Sequence, residues 1–223
     1  KLPTLFNDYD TNNPEFLRIK RWLYLSVLNS VFSRGCGWIP YITGIRKILR
    51  VLSAYQGDPF PVEVLFDVYK GHPLRFSRSL TVEHLADWDR DFVFYLMYDR
   101  HPEVGRDVDH VHPKSRLGSF RSEQVHSIAN YQLLDIGTNR NKKRAQSLTD
   151  WINGDVSEEA RLGYLNRHLI PSAELLWFEK NFEQFVTKRA QMIVEKVQEF
   201  VPEAPLDAIL PDPKPDPVSK SVS

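Results

Sequence analysis

Residues 107–144 contain two short strand-like segments and a polar helix start, within a chain whose other segments have mainly helical periodicity. Apolar and polar residues alternate over residues 107–111, and residues 131–134 form a short aromatic and aliphatic run. Both patterns predict short strands. Thr138 can cap a helix, and helix-forming residues follow it as far as Ala145. This order of strand, loop, strand and helix brings the ends of the three elements together.

Short polar side chains occur where these elements meet. Asp109 and His110 belong to the first strand, and Asn139 lies at the start of the helix. Together they predict a cradle for one cation. Oxygen ligands of this kind suit Mg²⁺ or Mn²⁺ better than Zn²⁺.

Three parts of the sequence together resemble a known family: the segment Asp109-His110-Val111-His112-Pro113, Asn130, and the segment Asn139-Arg140-Asn141-Lys142. The family they resemble is that of the HNH (ββα-metal) endonucleases. The spacing between Asn130 and Asn139 is similar to that in the HNH domain of the RNA-guided CRISPR nuclease. The resemblance implies a general base, His110, that takes a proton from the attacking water. It also implies that Asp109 and Asn139 hold Mg²⁺ or Mn²⁺, and that Asn130 hydrogen-bonds the His110 ring.

With the helical segments around this motif, residues 14–200 loosely resemble the nuclease half of GmrSD-type modification-dependent restriction proteins and of SspE-like phosphorothioate-sensing defence proteins. The fold class that follows is mostly α with a small embedded ββα-metal (HNH) motif, hence α+β. In that family an upstream nucleotide-hydrolysing domain carries an Asp-Gly-Gln-Gln-Arg motif, which this sequence lacks. Because the first residue is Lys1 and not Met, we interpret the chain as a fragment of a longer protein.

The net charge is zero, but the charges are segregated along the chain. Residues 16–57 include seven basic and no acidic residues, and residues 114–144 have a net charge of +5, whereas residues 151–223 have a net charge of −4. A polyanion is therefore attracted to the first two segments. We predict contacts with the DNA backbone for His112, Lys114, Arg116, Arg140, Lys142, Lys143, Arg144, Arg46, Lys47 and Arg50. For His112 a metal contact is the alternative, because an extended segment 107–113 would place it on the same face as His110.

Composition limits the remaining possibilities. The chain has one cysteine, Cys36, which excludes an internal disulfide and suits a reducing cytoplasm. The family resemblance implies that this cytoplasm is prokaryotic. No apolar run approaches the roughly 20 residues of a membrane span, so no membrane partner is expected. We predict a helical region over residues 1–100, the HNH core over 101–155, C-terminal helices over 156–201, and a disordered tail over 202–223.

Hydrophobic periodicity and capping residues predict the helices. One begins at Pro14, with Asn13 as its cap, and ends near Arg34; a second covers residues 43–55. A third runs from Ser79 or Thr81 to about Arg100. After the motif, a short helix begins at residues 157–159, and a long one runs from Ser172 to about Phe200.

The function predicted from these features is metal-dependent DNA nicking by an HNH endonuclease of a bacterial restriction or anti-phage defence protein. One active site cuts one strand, so nicking is the default for a monomer. Two alternatives remain open. One is a catalytically inactive DNA-binding module, and the other is a toxin-type nuclease that acts on RNA or DNA.

Overall fold

The computed structural model describes residues 13–32, 38–55, 59–68, 77–98 and 106–202, with side chains of the second segment described from residue 46 onward. Most of these residues are helical, and one two-stranded antiparallel sheet is present. The predicted mostly α, α+β class is therefore confirmed at this level. Among the described residues, no helix is both long and apolar enough to cross a membrane. The predicted tail, beyond residue 202, lies outside the described residues.

The chain divides into two compact units, Lys1–Arg78 with Val201–Ser223, and Ser79–Phe200. The whole candidate motif lies in the second unit. The described residues 79–98, which the sequence groups with the N-terminal helical region, belong to that unit as well.

Helix α1 (Pro14–Leu28) opens the described part of the first unit. Its start is as predicted, because the Asn13 side chain accepts a hydrogen bond from the Glu15 amide at 2.9 Å, and Pro14 occupies the first turn. The helix ends earlier than the predicted Arg34. The Asn29 side chain donates to the Leu25 carbonyl at 2.7 Å, and the chain then turns through Ser30 with φ of 56°.

Helices α2 (Trp38–Ala54) and α3 (Val62–Asp67) follow in the described part of the first unit. Sequence periodicity assigns both Ile48 and Leu49 to the apolar face of α2. The structure buries Ile48 but leaves Leu49 55% exposed, so the buried stripe is narrower than predicted.

The second unit begins with a 3₁₀ helix (Val82–Asp87) and helix α4 (Arg90–Met97), where the sequence predicts one continuous helix. The break has a local cause. Trp88 is extended, and the Asp89 side chain accepts from the Phe92 amide at 3.0 Å, which starts a new helix. The predicted end at Arg100 lies outside the described residues.

Strands β1 (Arg106–His110) and β2 (Tyr131–Asp135) pair in the antiparallel register Asp109↔Gln132 and His110↔Tyr131. Both strands are within one residue of their predicted bounds. Their connection contains 3₁₀ turns at Lys114–Arg116 and Ile128–Asn130 and the short helix α5 (Ser122–Val125).

A π-helix (Thr138–Lys143) follows β2 where the sequence predicts an α-helix. Thr138 is not its side-chain cap; instead, the Asp135 carboxylate accepts from the Thr138 amide at 2.8 Å. The helix stops at Arg144, which has φ of 45°. The short helix α6 (Leu148–Asp150) and a second π-helix (Trp151–Asp155) come next.

Helices α7 (Glu158–Arg167) and α8 (Phe182–Phe200) form the C-terminal part of this unit. The long predicted helix from Ser172 is shorter, because 3₁₀ turns occupy Glu174–Trp177 and Glu179–Asn181. Leu175 and Phe178 would contribute to the apolar stripe of a continuous helix, but in this segment both side chains are exposed. The α8 residues Phe182 and Phe185 are fully buried in the core that supports the motif, together with Val111, Leu117, Val125, Leu148, Trp151, Ile152, Leu165, Ile170 and Trp177.

Candidate functional site

The β1–β2 hairpin presents Asp109 and His110 from its end. Successive side chains of a strand leave on opposite faces, so Asp109 lies on the face of Gln132 and His110 on the face of Tyr131. His110 is the last residue of β1, and the chain bends immediately afterwards. The predicted base and the predicted metal ligand are therefore adjacent, with different surroundings.

Asp109 is held by two side chains through one oxygen. Its Oδ2 lies 2.8 Å from the Lys143 Nζ and 3.1 Å from the Gln132 Nε2. The other end of the Gln132 amide accepts from the Tyr164 hydroxyl at 2.9 Å. These contacts fix the carboxylate while using Oδ2 alone.

Lys143 does not have the predicted contact with the DNA backbone. Its side chain is fully buried, and its Nζ also donates to the His110 carbonyl at 2.7 Å. Burial lowers the pKa of Lys143, although the Asp109 carboxylate opposes this shift. An ammonium enclosed in this way cannot reach a phosphate, and it instead ties the π-helix to the end of β1.

Asn139 lies against Asp107 and not against Asp109. Its Nδ2 is 3.5 Å from the Asp107 Oδ2, and the Arg140 Nε is 3.2 Å from the same oxygen. Sequence analysis does not select Asp107 as a site residue. The signal is nevertheless present, because strand alternation puts Asp107 and Asp109 on one face.

His110 is half-buried among aromatic residues. Its Nε2 lies 3.3 Å from the His126 Nδ1, and its ring centroid is 4.7 Å from that of Tyr131. Burial lowers the pKa of His110, His126 lowers it further, and Asp109 opposes these effects. The ring is therefore mostly neutral at neutral pH, the form that can accept a proton.

Asn130 does not have the predicted role of orienting this ring. It is fully buried, and its Oδ1 accepts from the His112 amide at 3.0 Å. Its Nδ2 donates to the carbonyls of His112 at 3.2 Å and Val125 at 2.9 Å. In the described structure, the Asn130 side chain thus closes the loop after β1, and the neighbours of the His110 ring are His126 and Tyr131.

His112 is a core residue, contrary to the predicted phosphate or metal contact. Its ring is fully buried and packs edge-on against Phe185 at 4.5 Å and Phe182 at 5.6 Å between centroids. Because β1 ends at His110, the extended geometry that would align the two histidines does not continue to residue 112. Burial lowers the pKa of His112 to about 4.

The other predicted DNA contacts are exposed. Some of these side chains already have partners within the protein: Arg116 donates through Nε to the Ala145 carbonyl at 3.0 Å, and Arg144 does so to the Arg140 carbonyl at 3.0 Å. The exposed members of the predicted set are Lys114, Arg116, Arg140, Lys142 and Arg144 in the motif unit, and Arg46, Lys47 and Arg50 on α2 of the other unit.

The side-chain oxygen donors near the hairpin are of the type that binds a hard cation. Among the described residues no cluster of three or more His, Cys, Asp or Glu side chains is arranged to hold a metal. Two carboxylates and one amide are nevertheless available, in Asp107, Asp109 and Asn139. The Asn139 contact uses its nitrogen and the Asp109 contacts use Oδ2, so the Asn139 Oδ1 and the Asp109 Oδ1 are left for a ligand. Oxygen donors of this type are those that Mg²⁺ and Mn²⁺ prefer.

No protein-family model matches the chain, and no curated protein sequence matches it. The similarity to HNH nucleases rests on the motif residues themselves.

Proposed function

We propose that the second unit is a metal-dependent HNH endonuclease centre that nicks DNA, within a bacterial restriction or anti-phage defence protein. One observation carries the proposal. The hairpin and the π-helix bring Asn139 to the strand that ends in Asp109 and His110, with the Asn139 amide 3.5 Å from the Asp107 carboxylate. The order of these elements is that of a ββα-metal motif.

In this proposal His110 takes the proton of the attacking water. The lowered pKa supports this role, because the neutral ring predominates at neutral pH. His126 and Tyr131 hold the ring, in place of the predicted Asn130. Asn130 contributes indirectly, since it keeps the chain after His110 in one conformation.

Asp109 and Asn139, with Asp107 added, would hold the Mg²⁺ or Mn²⁺ ion. When bound, such an ion polarises the scissile phosphate and stabilises the leaving oxygen. Lys143 and Gln132 orient the Asp109 carboxylate before the ion arrives. The exposed Arg140, Lys142 and Arg144 would contact phosphates on the adjacent backbone.

One observation favours a second candidate, a catalytically inactive DNA-binding module. The buried Lys143 ammonium lies 2.8 Å from the Asp109 carboxylate. Its positive charge already compensates the carboxylate that would otherwise bind the metal ion. If that ion pair excludes the metal, the exposed basic side chains can still bind DNA while no cleavage takes place.

The test is incubation of the full chain with supercoiled plasmid and Mg²⁺ or Mn²⁺. The wild type should convert the plasmid to the nicked form. His110→Ala should lower the rate by about 10²- to 10⁴-fold, the usual contribution of a general base. His84→Ala is the matched control, because His84 hydrogen-bonds Thr81 within a separate 3₁₀ helix.

Metal-dependent nicking that persists in purified His110→Ala would refute the assigned base. DNA binding without nicking by the wild type, with either metal, would instead favour the inactive module.

A further inference from the structure

A second group of donors lies on the other side of β1 from the carboxylates. The His110 Nε2 and the His126 Nδ1 are 3.3 Å apart, and the Tyr131 hydroxyl oxygen is 3.1 Å from the same His126 nitrogen. We propose that His110, His126 and Tyr131 form a site for a borderline-soft divalent cation, with Zn²⁺ the best fit.

The separation of the two imidazole nitrogens supports this assignment. Zn²⁺ binds histidine nitrogens at about 2.0–2.1 Å in tetrahedral geometry, which places two such nitrogens about 3.3 Å apart. The His110–His126 distance of 3.3 Å is close to that value, so the two nitrogens are already at the separation that a shared ion requires. The Tyr131 oxygen is a weaker third donor, and water completes the coordination.

Three backbone segments hold these donors in place. His110 ends β1, and Tyr131 is its cross-strand partner at the start of β2. His126 directly follows α5, and its amide donates to the Ser122 carbonyl at 2.9 Å. The buried Asn130 side chain fixes the preceding residue through the Val125 carbonyl. A site on ordered backbone loses little conformational entropy when it binds an ion.

The donor type separates this site from the proposed nuclease metal site. The site of His110 and His126 offers nitrogen, whereas Asp107, Asp109 and Asn139 offer oxygen on the opposite face of the strand. Imidazole favours Zn²⁺, and carboxylate and carbonyl oxygens favour Mg²⁺ and Mn²⁺. His126 is exposed, so the ion can enter from solvent.

The binding test uses isothermal titration of the full chain with ZnCl₂ and, separately, with MgCl₂. We compare wild type with His110→Gln, His126→Gln, Tyr131→Phe and the matched control His84→Gln. Each of the first two changes should weaken Zn²⁺ binding about tenfold or more, because each removes one of two nitrogen ligands. Tyr131→Phe should weaken it less than either histidine change, and His84→Gln should have no effect.

The chain contains seven histidines, so the comparison among variants matters more than the total number of ions bound. Thermal melts without zinc check that each variant is folded. If folded His126→Gln binds Zn²⁺ as tightly as wild type does, or if His110→Gln alone weakens binding, the shared site is disproved.

One consequence rests on the proposed nuclease function. A zinc ion on the His110 Nε2 would compete with its use as a base, so Zn²⁺ should inhibit Mg²⁺-dependent nicking. Because His126 also holds the His110 ring, each variant is compared with its own rate in the absence of zinc, and Zn²⁺ should remove a smaller fraction of that rate in His126→Gln than in wild type. The two proposals fail separately. If zinc binding depends on both histidines but the protein does not nick DNA, the zinc site is supported and the nuclease function is refuted. If the protein nicks DNA but shows no such zinc binding, the nuclease function is supported and the zinc site is refuted.

Discussion

At the scale of single residues, two histidines separated by one position have opposite environments. His110 ends β1 beside His126 and Tyr131, whereas His112 is fully buried against Phe182 and Phe185. The difference arises because the strand stops between them. His112 therefore affects stability, and His110 carries the proposed chemistry.

Replacing His112 by Phe should make stability less dependent on pH. The pKa of His112 is about 4 in the folded protein, against an ordinary value of 6.5. Between these values the unfolded chain binds more protons, so the free energy of unfolding falls as the pH falls from 6.5 towards 4. Urea denaturation at pH 7 and pH 5 should show this decrease reduced by about 2 kcal/mol in the variant.

His84→Phe is the control for the general effect of losing a histidine, and its pH dependence should match that of wild type. A His112→Phe variant with the full wild-type decrease would show that this ring does not titrate as described.

Lys143 and Lys142 offer a matched pair of adjacent lysines with different surroundings. Lys143→Met should lower the free energy of unfolding by about 3 kcal/mol, because it leaves the Asp109 carboxylate without its buried partner. Lys142 is exposed, and Lys142→Met should change stability by less than about 0.5 kcal/mol. Chemical denaturation measures both values, and equal effects would contradict the buried ion pair.

At the scale of secondary-structure elements, the loop between β1 and β2 depends on one side chain. Asn130 joins the chain after β1 to the end of α5 through hydrogen bonds with His112 and Val125. The Val111 amide adds a bond to the Asn130 carbonyl at 2.8 Å. The position of His126 beside His110 therefore depends on Asn130, although Asn130 does not contact the His110 ring.

Asn130→Ala should accordingly act on folding as well as on any activity. It leaves buried backbone groups of His112 and Val125 unpaired, which should cost about 2–4 kcal/mol in the free energy of unfolding. Asn181→Ala is the control, since Asn181 also donates to a backbone carbonyl, that of Leu175 at 2.7 Å, but at an exposed position. Denaturant titration of both variants should show the larger loss in the free energy of unfolding for Asn130→Ala. Similar small losses in both variants would contradict the role of Asn130 in holding the β1–β2 loop.

At the scale of the whole molecule, exposed positive charge occurs in both compact units. The motif unit exposes basic residues around the π-helix, and the first unit exposes Arg46, Lys47 and Arg50 on α2. The compensating negative charge lies in the other segments of the chain, and residues 151–223 hold only part of it, with a net charge of −4. A net charge of zero is therefore compatible with locally basic surfaces.

Replacing Arg46, Lys47 and Arg50 together by Gln should weaken DNA binding regardless of base sequence. Each lost phosphate contact reduces the slope of log affinity against log salt by about 0.9 for duplex DNA, so the slope should fall by up to about 3. Binding measured by fluorescence anisotropy at several salt concentrations provides the slope. The control replaces Lys180, Lys188 and Lys196, which lie in the acidic segment, and should leave it nearly unchanged.

An unchanged slope in the α2 variant would mean that these charges serve solubility and do not track phosphates. Nicking at saturating DNA should in either case be little affected, because none of the three residues belongs to the motif unit.

Local interactions were sufficient to predict where several elements begin. Period-2 alternation located β1, the Asn13–Pro14 pair located the start of α1, and Ser157 with its following acidic residues located α7. These signals depend on neighbours in sequence, such as a side chain that accepts from an amide two or three residues later. The DNA contacts predicted for Arg46, Lys47 and Arg50 require these side chains to be exposed, and the structure exposes all three.

Only the tertiary structure decided which polar side chains of the motif are buried. Lys143 and His112 look like surface residues in the sequence, and their burial depends on Asp109 and on Phe182 and Phe185, which are distant in the chain. The partners of Asn130 and Asn139 were missed for the same reason. A side chain's hydrogen bonds are set by which segments the fold brings within about 3 Å, and short-range patterns contain no information about that distance.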